Sequence, residues 1–356
     1  MRIAHVYKDS YPPVHGGIEQ HIDLLAALQA EAGHDVEVIV AGGRGKTEVI
    51  DRAGFVVRRL PELARAASSP ITFSYGHALR STHADIAHFH HPNPVAELFS
   101  PLLRDGIRVA VSYHADITRQ RLLGAAYRPV LRRFLSRADV LITGSERLRE
   151  TSPALAAHRA RCHVVPYGIA VPSSRAVPRA ADGVLFVGRM REYKGLPVLL
   201  DAIARVPRLR LRLVGNGPER DRLVRLARAL QITDRVEFLG EIDAAALDAE
   251  LRCARALVLP SIRRSEAFGI VLVEALHRGT PLITTELGTA TSWVNQDGVT
   301  GLVVPPGDPD RLGKALQRLI TDDALWRMLS AGAARRAELF TAERMLEATM
   351  TAYMSA

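Results

Sequence analysis

Short strand-like runs alternate with longer helical patterns along nearly the whole chain, and this alternation constrains the fold more than any other feature of the sequence. It is typical of parallel α/β sheets with helices on both faces. We therefore predict an α/β protein of two doubly wound domains that face each other across a cleft. The predicted strands of the first half are Ile3–Tyr7, Val36–Ala41, Phe55–Arg59, Ile86–His90, Arg108–Tyr113, Val140–Thr143 and Val164–Pro166. Those of the second half are Val184–Val187, Leu211–Val214, Val236–Leu239, Ala256–Leu259, Pro281–Thr284 and Leu302–Val304.

A stretch rich in Pro, Ser and Ala, Pro172–Pro178, separates the two halves and is the predicted linker. The predicted domains are residues 1–168 and 183–338, with the linker at 169–182. A helix is predicted at Glu266–Arg278 in the second domain. Ligands of such folds bind beyond the carboxyl ends of the strands, so the loops that follow strands are the candidate sites.

Composition limits the classes of partner. No apolar run reaches the roughly 18 residues that a membrane span needs. The start of the chain lacks a secretion-signal pattern, and Cys162 and Cys253 have no C-x-x-C spacing, so we expect a cytoplasmic protein without disulfides. The net charge of +9 attracts anions such as nucleotide sugars or anionic lipid. Nucleic acid is not an expected partner, because aromatic residues make up only 5% and no basic recognition helix stands out.

The segment Ser265–Ala275 carries two glutamates, Glu266 and Glu274, on either side of Gly269. A helix is predicted to open near this glycine, and a helix start offers unpaired amides and partial positive charge that suit a diphosphate. Glu266 could then point into the cleft, and Glu274 could reach a ribose hydroxyl pair. The alternative is an exposed acid at a helix start and a second acid in an internal salt bridge.

A second pattern follows the first strand of the second half, where Arg189 and Lys194 flank a short loop. Two cations there would neutralise a diphosphate and stabilise it as it departs, although they could also be ordinary surface bases. The glycine pair Gly16-Gly17, after the first strand of the chain, resembles a phosphate-contacting turn. Neither it nor any other segment matches G-x-G-x-x-G or the P-loop pattern, which disfavours nicotinamide dehydrogenases and P-loop NTPases.

Histidines and other polar residues follow two strands of the first half; the set is His88, His90, His91, Asn93, His114 and Asp116. A zinc site could draw on His90, His91, His114 and Asp116. However, His90 and His91 should point to opposite sides of a continuing strand, and no metal-binding spacing occurs. We therefore expect no bound metal, and expect the strand-end histidines to face the cleft and place hydroxyl groups by hydrogen bonds.

With these motifs in place, the chain resembles the retaining family-4 glycosyltransferases of the GT-B fold over essentially its whole length. The motifs stand in the family's order: Gly16-Gly17, Tyr113–Asp116, Gly188-Arg189 with Lys194, Val214–Pro218, Glu266–Glu274 and Asp297–Asp308. The stretches His91–Pro94 and His114–Ile117 are similar to the bacterial surface-polysaccharide branch, whose members often use GDP-mannose.

The resemblance implies roles for the residues above. Arg189 and Lys194 would bind the donor diphosphate, Glu266 the hydroxyls of the transferred sugar, and Glu274 the ribose, while His114 would lie beside the reacting sugar. The remaining implied donor-binding residues are Gly16, Gly17, Asn216, Ile242, Phe268, Gly269, Ile270 and Val271, with the turn at Ile242 receiving the base. Near the acceptor the resemblance implies His90, His91, Asn93 and Asp116. The family retains anomeric configuration, needs no divalent metal or other cofactor, and folds its last helix, here within 339–356, back onto the first domain.

The predicted function is transfer of a hexose, with mannose from GDP-mannose favoured, to a glycan or lipid-linked acceptor of cell-surface polysaccharide or glycoconjugate synthesis. Three alternatives stay open: a UDP-sugar-dependent glycosyltransferase of small molecules, an epimerase or phosphorylase of the same architecture, and a non-catalytic nucleotide-sugar binder. The basic, partly amphipathic segment 119–137 is interpreted either as a docking surface for anionic lipid or as an ordinary surface helix interrupted by Pro129.

Overall fold

The computed structural model describes residues 1–66, 69–117, 121–170 and 183–355, and the chain divides into two compact units. Unit 1 comprises Met1–Ile169 and Thr341–Ala356, and unit 2 comprises Ala170–Phe340. From residue 171 onward, the predicted linker lies outside the described residues. The return to the first domain begins at Thr341 instead of 339, because Phe340 stays in unit 2, where its ring meets that of Trp293 edge-on.

Unit 1 contains an eight-stranded sheet and a small hairpin. Its strands are β1 (Arg2–Val6), β2 (Asp35–Gly43), β3 (Glu48–Asp51), β4 (Val56–Pro61), β5 (Ala64–Ala66), β6 (Ser69–Ile71), β7 (Ile86–His91), β8 (Arg108–Tyr113), β9 (Val140–Thr143) and β10 (Cys162–Val164). The sheet order is β10-β9-β8-β7-β1-β2-β4-β3, and only the β3–β4 pair in it is antiparallel. The hairpin is β5–β6. The helices of this part of the chain are α1 (Gly17–Glu31), α2 (Ser74–Ser81), α3 (Pro94–Phe99), α4 (Arg121–Arg137) and α5 (Glu146–Thr151).

Both faces of the unit 1 sheet are covered, because successive side chains of a strand point to opposite sides. On β1, Ile3 packs in one core with Leu25 of α1, while Ala4 and Val6 pack in a separate core with Leu79 of α2. All six residues of β7 are buried, as expected of a parallel strand covered on both faces. The position of a residue along its strand therefore decides which face of the sheet its side chain lies on.

Unit 2 contains a six-stranded sheet in which all neighbours are parallel. Its strands are β11 (Gly183–Val187), β12 (Arg210–Val214), β13 (Val236–Gly240), β14 (Ala256–Leu259), β15 (Leu282–Thr285) and β16 (Gly301–Val304). Its helices are α6 (Leu196–Arg205), α7 (Arg220–Ala229), α8 (Ala244–Cys253), α9 (Ile270–Leu276), α10 (Thr291–Val294), α11 (Pro309–Thr321) and α12 (Asp323–Ala337). The last helix, α13 (Ala342–Met354), belongs to unit 1, where it packs on α1.

The strand order of unit 2 is β13-β12-β11-β14-β15-β16, so the direction of winding reverses between β11 and β14. The order of unit 1 reverses in the same way between β1 and β7. Loops at the carboxyl ends of strands beside such a reversal form the usual ligand crevice of a doubly wound sheet. The predicted doubly wound α/β fold is confirmed in each unit. Among the described helices, none is both long and apolar enough to cross a membrane.

Candidate functional site

The loops after β11 and β14 touch at the reversal point of unit 2. After β11 the chain makes a short 3₁₀ turn, Glu192–Lys194, and reaches Gly195 in a left-handed conformation with φ +68°. A Cβ at this position would stand 2.2 Å from the carbonyl oxygen of Pro260, which follows β14. Only glycine permits this approach, and it brings Lys194 to the loop that carries Glu266.

Lys194 and Glu266 form a buried ion pair, with 2.5 Å between Nζ and Oε2. Their side chains are 10% and 8% exposed. Burial by itself lowers the pKa of Lys194, but the Glu266 carboxylate and the Tyr193 hydroxyl together outweigh burial and hold the pKa above its ordinary value. The lysine is therefore a fixed cation at neutral pH, placed at the carboxyl ends of the strands.

Ser261 orients the Glu266 carboxylate, because its hydroxyl donates to Oε2 over 2.9 Å. The main chain of Ser261 is held in turn by the Thr285 hydroxyl, which donates to its carbonyl oxygen from the next strand. Both residues are buried. Ser261 was not predicted from the sequence, since a lone serine after a strand has no distinguishing pattern.

The predicted opening of a helix near Gly269 is confirmed, because α9 runs from Ile270 to Leu276, whereas the wider bounds Glu266–Arg278 are wrong at both ends. Gly269 precedes it with φ +77°, a left-handed conformation that breaks the helical path and leaves Glu266 in the loop. Phe268 is buried, and its ring meets that of Phe340 edge-on. Ile270 and Val271 form the first turn of α9 and are half-buried.

Glu274 lies in the second turn of α9 and is half-buried. Burial raises its pKa, and the nearby Arg278 guanidinium opposes that effect only in part. Arg278 donates hydrogen bonds to the backbone carbonyl of Glu274 and to the Asp248 carboxylate. The predicted alternative, an internal salt bridge of the Glu274 side chain, is therefore not formed with Arg278. A half-buried carboxyl group of raised pKa suits hydrogen bonding to a hydroxyl pair.

The other donor-side residues of the prediction lie on neighbouring loops of unit 2. Arg189 is exposed directly after β11. The amide of Met190 donates to the carbonyl oxygen of Asn216 over 2.8 Å, which joins the loops after β11 and β12. Ile242 is half-buried in the turn after β13. These loops therefore share one edge of the sheet with Lys194 and Glu266.

An acidic side chain, Glu19, folds back onto the predicted glycine turn Gly16-Gly17 of unit 1. Gly17 is the first residue of α1, and the Glu19 carboxylate folds back so that Oε2 lies 2.1 Å from where a Cβ of residue 16 would stand. Burial raises the pKa of Glu19, which favours its uncharged form. A phosphate at this helix start would meet Glu19, a residue that the sequence analysis did not consider.

The expectation that the strand-end histidines offer ring nitrogens to sugar hydroxyls is wrong for His90 and His114. Both are buried, and Nδ1 of His90 lies 2.9 Å from Nε2 of His114. The second nitrogen of His90 contacts His5 at 3.0 Å, and that of His114 contacts the Tyr167 hydroxyl. Since each ring nitrogen already has a partner within unit 1, a sugar would reach only the main chain or ring edge of His114.

His91 faces the opposite side of β7, as its spacing from His90 predicts. Its Nδ1 pairs with the buried Glu97 carboxylate at 3.0 Å, and Tyr127 of α4 donates to the same carboxylate. Burial raises the pKa of Glu97, but His91 and the hydrogen bonds lower it by more than burial raises it. The pKa of Glu97 therefore lies below its ordinary value. Asn93 donates its backbone amide to Glu97 over 2.6 Å, so this cluster ties the loop after β7 to α3 and α4.

The zinc set considered from the sequence does not assemble. His91 lies on the other face from His90 and His114, while Asp116 accepts hydrogen bonds from Tyr113 and Ser152. Among the described residues, His5, His88 and His90 instead place ring nitrogens within 4.8 Å of one another. His5 was not predicted to join this pair, although its position on β1 beside His88 of β7 follows from the strand register.

Comparison with known proteins follows the same division of the chain. The model of the family described as glycosyl transferases group 1 matches residues 176–336, and that of the glycosyl transferase 4-like domain matches residues 16–168. An O-antigen chain mannosyltransferase C of Escherichia coli is 33% identical over 99% of this chain and 98% of its own length. The chain belongs to the group 1 glycosyltransferases. It is an enzyme of the hexosyltransferase type.

Two further similarities agree with this assignment. The D-rhamnosyltransferase WbpZ of Pseudomonas aeruginosa is 36% identical over 96% of this chain and 93% of its own length. The solved structure of sucrose-phosphate synthase from Thermosynechococcus elongatus matches 99% of this chain and 98% of its own, with a TM-score of 0.82 and 23% identity. This last likeness shows the GT-B fold alone.

Proposed function

We propose that this glycosyltransferase moves a hexose from a nucleotide diphosphate sugar to a glycan or lipid-linked acceptor in the synthesis of a cell-surface polysaccharide. We favour mannose as the sugar and GDP-mannose as the donor, with retention of anomeric configuration and without a divalent metal. The support for the sugar is that relatives similar over nearly their whole length are named a mannosyltransferase and a D-rhamnosyltransferase.

The observation that carries the proposal is the Lys194–Glu266 pair at the reversal point of unit 2. A bound diphosphate would compete with Glu266 for the Lys194 ammonium, and Arg189 would add a second cation. The Glu266 carboxylate, still held by Ser261, would then accept hydrogen bonds from the hydroxyls of the sugar. Fixed cations aimed at the leaving phosphate stabilise the charge that develops there as the glycosidic bond breaks.

The transfer step follows from this arrangement. The acceptor oxygen forms a bond to the anomeric carbon on the face from which the diphosphate leaves, and the bond from that carbon to the phosphate oxygen breaks. A phosphate oxygen takes the acceptor's proton, so no carboxylate needs to act as a base. Glu266 differs in this from the paired carboxylates of glycosidases. Arg189 and Lys194 supply the positive charge that a metal ion would otherwise provide.

A thermal-shift panel of GDP, UDP, ADP and dTDP with their sugars tests the donor, followed by product analysis with the donor that binds. We expect GDP-mannose to stabilise the protein most, activity to survive EDTA, and the product to keep the anomeric configuration of the donor. Interconversion of the donor without an acceptor would indicate an epimerase, and dependence on inorganic phosphate a phosphorylase. Binding without turnover across an acceptor panel would indicate a binding protein.

We also propose that the protein works in the cytoplasm and that α4 docks on anionic lipid to reach a lipid-linked acceptor. Its arginines Arg128, Arg132, Arg133 and Arg137 are exposed, whereas Leu131, Phe134 and Leu135 are buried in a core of unit 1. The contact would therefore be electrostatic rather than apolar. Arg119 and Gln120 of the predicted segment lie outside the described residues. Co-sedimentation with anionic vesicles at low salt, and its loss at high salt or with neutral vesicles, is the expected result; no binding at low salt contradicts it.

A further inference from the structure

Eight buried polar side chains of unit 1 form one continuous chain of hydrogen bonds, which we call the histidine chain. In order, its members are Tyr167, His114, His90, His5, Gln29, Tyr353, His88 and Ser112. None is more than 5% exposed. Strand alternation places His5, His88, His90, Ser112 and His114 on the sheet face that α1 and α13 cover, and those helices contribute Gln29 and Tyr353.

The four bonds made by His5 and His88 have the lengths of ordinary hydrogen bonds. Nε2 of His5 lies 2.7 Å from Oε1 of Gln29, and Nδ1 of His5 lies 3.0 Å from Nε2 of His90. At the other end, Nδ1 of His88 lies 2.7 Å from the Tyr353 hydroxyl. Nε2 of His88 lies 2.8 Å from the Ser112 hydroxyl. Each of these four imidazoles, including His114, thus uses both ring nitrogens within the chain.

The histidine rings are neutral at neutral pH, and for this reason the donor–acceptor direction of each bond depends on that of its neighbour. Burial lowers the pKa of His5 to about 4, against the smaller opposing effect of Gln29. Burial also lowers the pKa of His88, His90 and His114 well below the ordinary value. A neutral imidazole has one N–H and one acceptor nitrogen. Fixing the direction of the Gln29–His5 bond therefore fixes those of the His5–His90 and His90–His114 bonds, so these three rings have only two self-consistent directions.

Gln29 selects between the two directions, because its amide has a donor end and an acceptor end. The Nε2 end lies 3.8 Å from the thioether sulfur of Met350 and 3.4 Å from the Tyr353 hydroxyl. A thioether accepts a hydrogen bond but cannot donate one, so the amide nitrogen belongs on that side. The amide oxygen then faces His5 and requires a proton on Nε2 of His5.

We propose that Gln29 and Met350 are positioning residues that hold His114 as the tautomer with its proton on Nε2, acting through His5 and His90. In this direction His114 donates to His90, and the Tyr167 hydroxyl donates to Nδ1 of His114. In the reverse direction His114 would donate to Tyr167 instead. Gln29 on α1 and Met350 on α13 thus decide whether His114 donates or accepts the hydrogen bond that it shares with Tyr167.

A metal ion is the competing interpretation of the same histidines, since His5, His88 and His90 bring ring nitrogens within 4.8 Å. In the histidine chain, however, Nδ1 of His5 and Nε2 of His90 lie 3.0 Å apart and are joined by a hydrogen bond, which requires a proton on one of them. A cation bound there would require both nitrogens as lone-pair donors. The two interpretations therefore differ in whether Nε2 of His90 carries a proton.

Nitrogen-15 NMR of the histidine rings, with metal analysis of the same sample, tests the proposal without any substrate. In the wild-type protein we expect His5, His90 and His114 all to carry the proton on Nε2, and no stoichiometric metal. Met350→Leu removes the sulfur acceptor of Gln29 and leaves every hydrogen-bonding group of the histidine chain in place. It should shift the ratio of the two His114 tautomers by roughly two- to tenfold, the equivalent of one weak hydrogen bond. Met354→Leu, the same change at an exposed position of α13, should leave the ratio unaltered.

Gln29→Leu removes the selecting amide and should leave His114 as a mixture of tautomers, while Gln20→Leu on the exposed side of α1 should not. The effect on turnover rests on the proposed function: Gln29→Leu should lower kcat by about tenfold or more, as expected of a displaced active-site group, without changing the KM of the donor. Three results overturn the proposal: a proton on Nδ1 of wild-type His114, a metal bound at His5, or an unchanged His114 tautomer in both Met350→Leu and Gln29→Leu. Since NMR needs no donor, failure of the proposed function would leave the tautomer result intact.

Discussion

At the scale of single residues, Lys194 and Glu266 hold opposite charges where little water reaches them, 2.5 Å apart. Breaking a buried pair leaves one charge without compensation, which costs more than the pair itself contributes. We expect Lys194→Met or Glu266→Gln alone to lower the free energy of unfolding by about 3 kcal/mol. The double variant should recover most of that loss. Urea denaturation of the four proteins measures the coupling, and simple additivity of the two single losses would contradict the pair.

The side chain of Arg189, in contrast, is exposed and forms no salt bridge with another described residue. Arg189→Ala should change stability by less than about 0.5 kcal/mol. If Arg189 binds the diphosphate, the affinity for the donor should fall by about tenfold, the value of one charge-assisted hydrogen bond. Titration calorimetry with the donor that the thermal-shift panel selects provides the measurement. Arg225→Ala on the exposed side of α7 is the matched control and should bind normally.

At the scale of elements, Gly269 sets where α9 begins and therefore where Glu266 lies. Gly269 and Gly307 share nearly the same left-handed backbone, with φ +77° and +75°. A Cβ on Gly269 would stand 2.9 Å from Cδ2 of Leu259, whereas nothing lies within 4 Å of one on Gly307. Both alanine variants should lose the backbone term of about 1–2 kcal/mol, and Gly269→Ala should lose more.

The catalytic readout separates these two glycines further. Gly269→Ala should also lower kcat/KM, because the shift needed to relieve Leu259 moves the loop that carries Glu266. Gly307→Ala should keep kcat/KM near the wild-type value. Thermal denaturation and steady-state kinetics of both variants check this, and equal losses of activity would show that the start of α9 does not position the site.

The parallel strands could be predicted from the sequence because strands buried on both faces consist of continuous runs of apolar residues, as at Ala256–Leu259. The hairpin β5–β6 could not, because strands of three residues leave no periodic pattern. The opening of α9 near Gly269 was predicted, but the bounds Glu266–Arg278 were too wide because Glu266 and Ala267 favour a helix, while the positive φ of Gly269 breaks the helical path after them. Local preference is overridden there by tertiary contact.

Some residues of the candidate site could likewise be predicted from the sequence, whereas their contacts could not. Lys194 and Glu266 were predictable because their motifs follow strands that a doubly wound sheet brings together. Their direct ion pair and the role of Ser261 were not, since both depend on the approach of Gly195 to Pro260. For the histidines, the spacing of His88 and His90 assigned them to one face, but Gln29 and Tyr353 reach them from helices remote in the sequence. No local signal marks such partners.

At the scale of the whole molecule, histidine is distributed unevenly between the units. Of the 13 histidines, only His277 lies in unit 2, and the buried cluster of unit 1 is kept neutral. Burial lowers the pKa of His5 to about 4 and that of His21 to about 3. Below pH 6.5 the unfolded chain binds protons at these rings while the folded unit does not, so stability is lost as the pH falls.

We therefore predict that acid weakens unit 1 before unit 2. For His5 alone, the change from 6.5 to about 4 corresponds to a loss of about 3 kcal/mol by pH 4, since each pKa unit is worth about 1.4 kcal/mol. Differential scanning calorimetry between pH 7 and pH 4 should show one transition moving to lower temperature while the other moves less. His21→Phe removes one of the depressed rings and should flatten this dependence, whereas His15→Phe, at an exposed position, should leave it unchanged. Equal acid sensitivity of both transitions would mean that the buried histidines do not govern it, and that the net positive charge of the whole chain does.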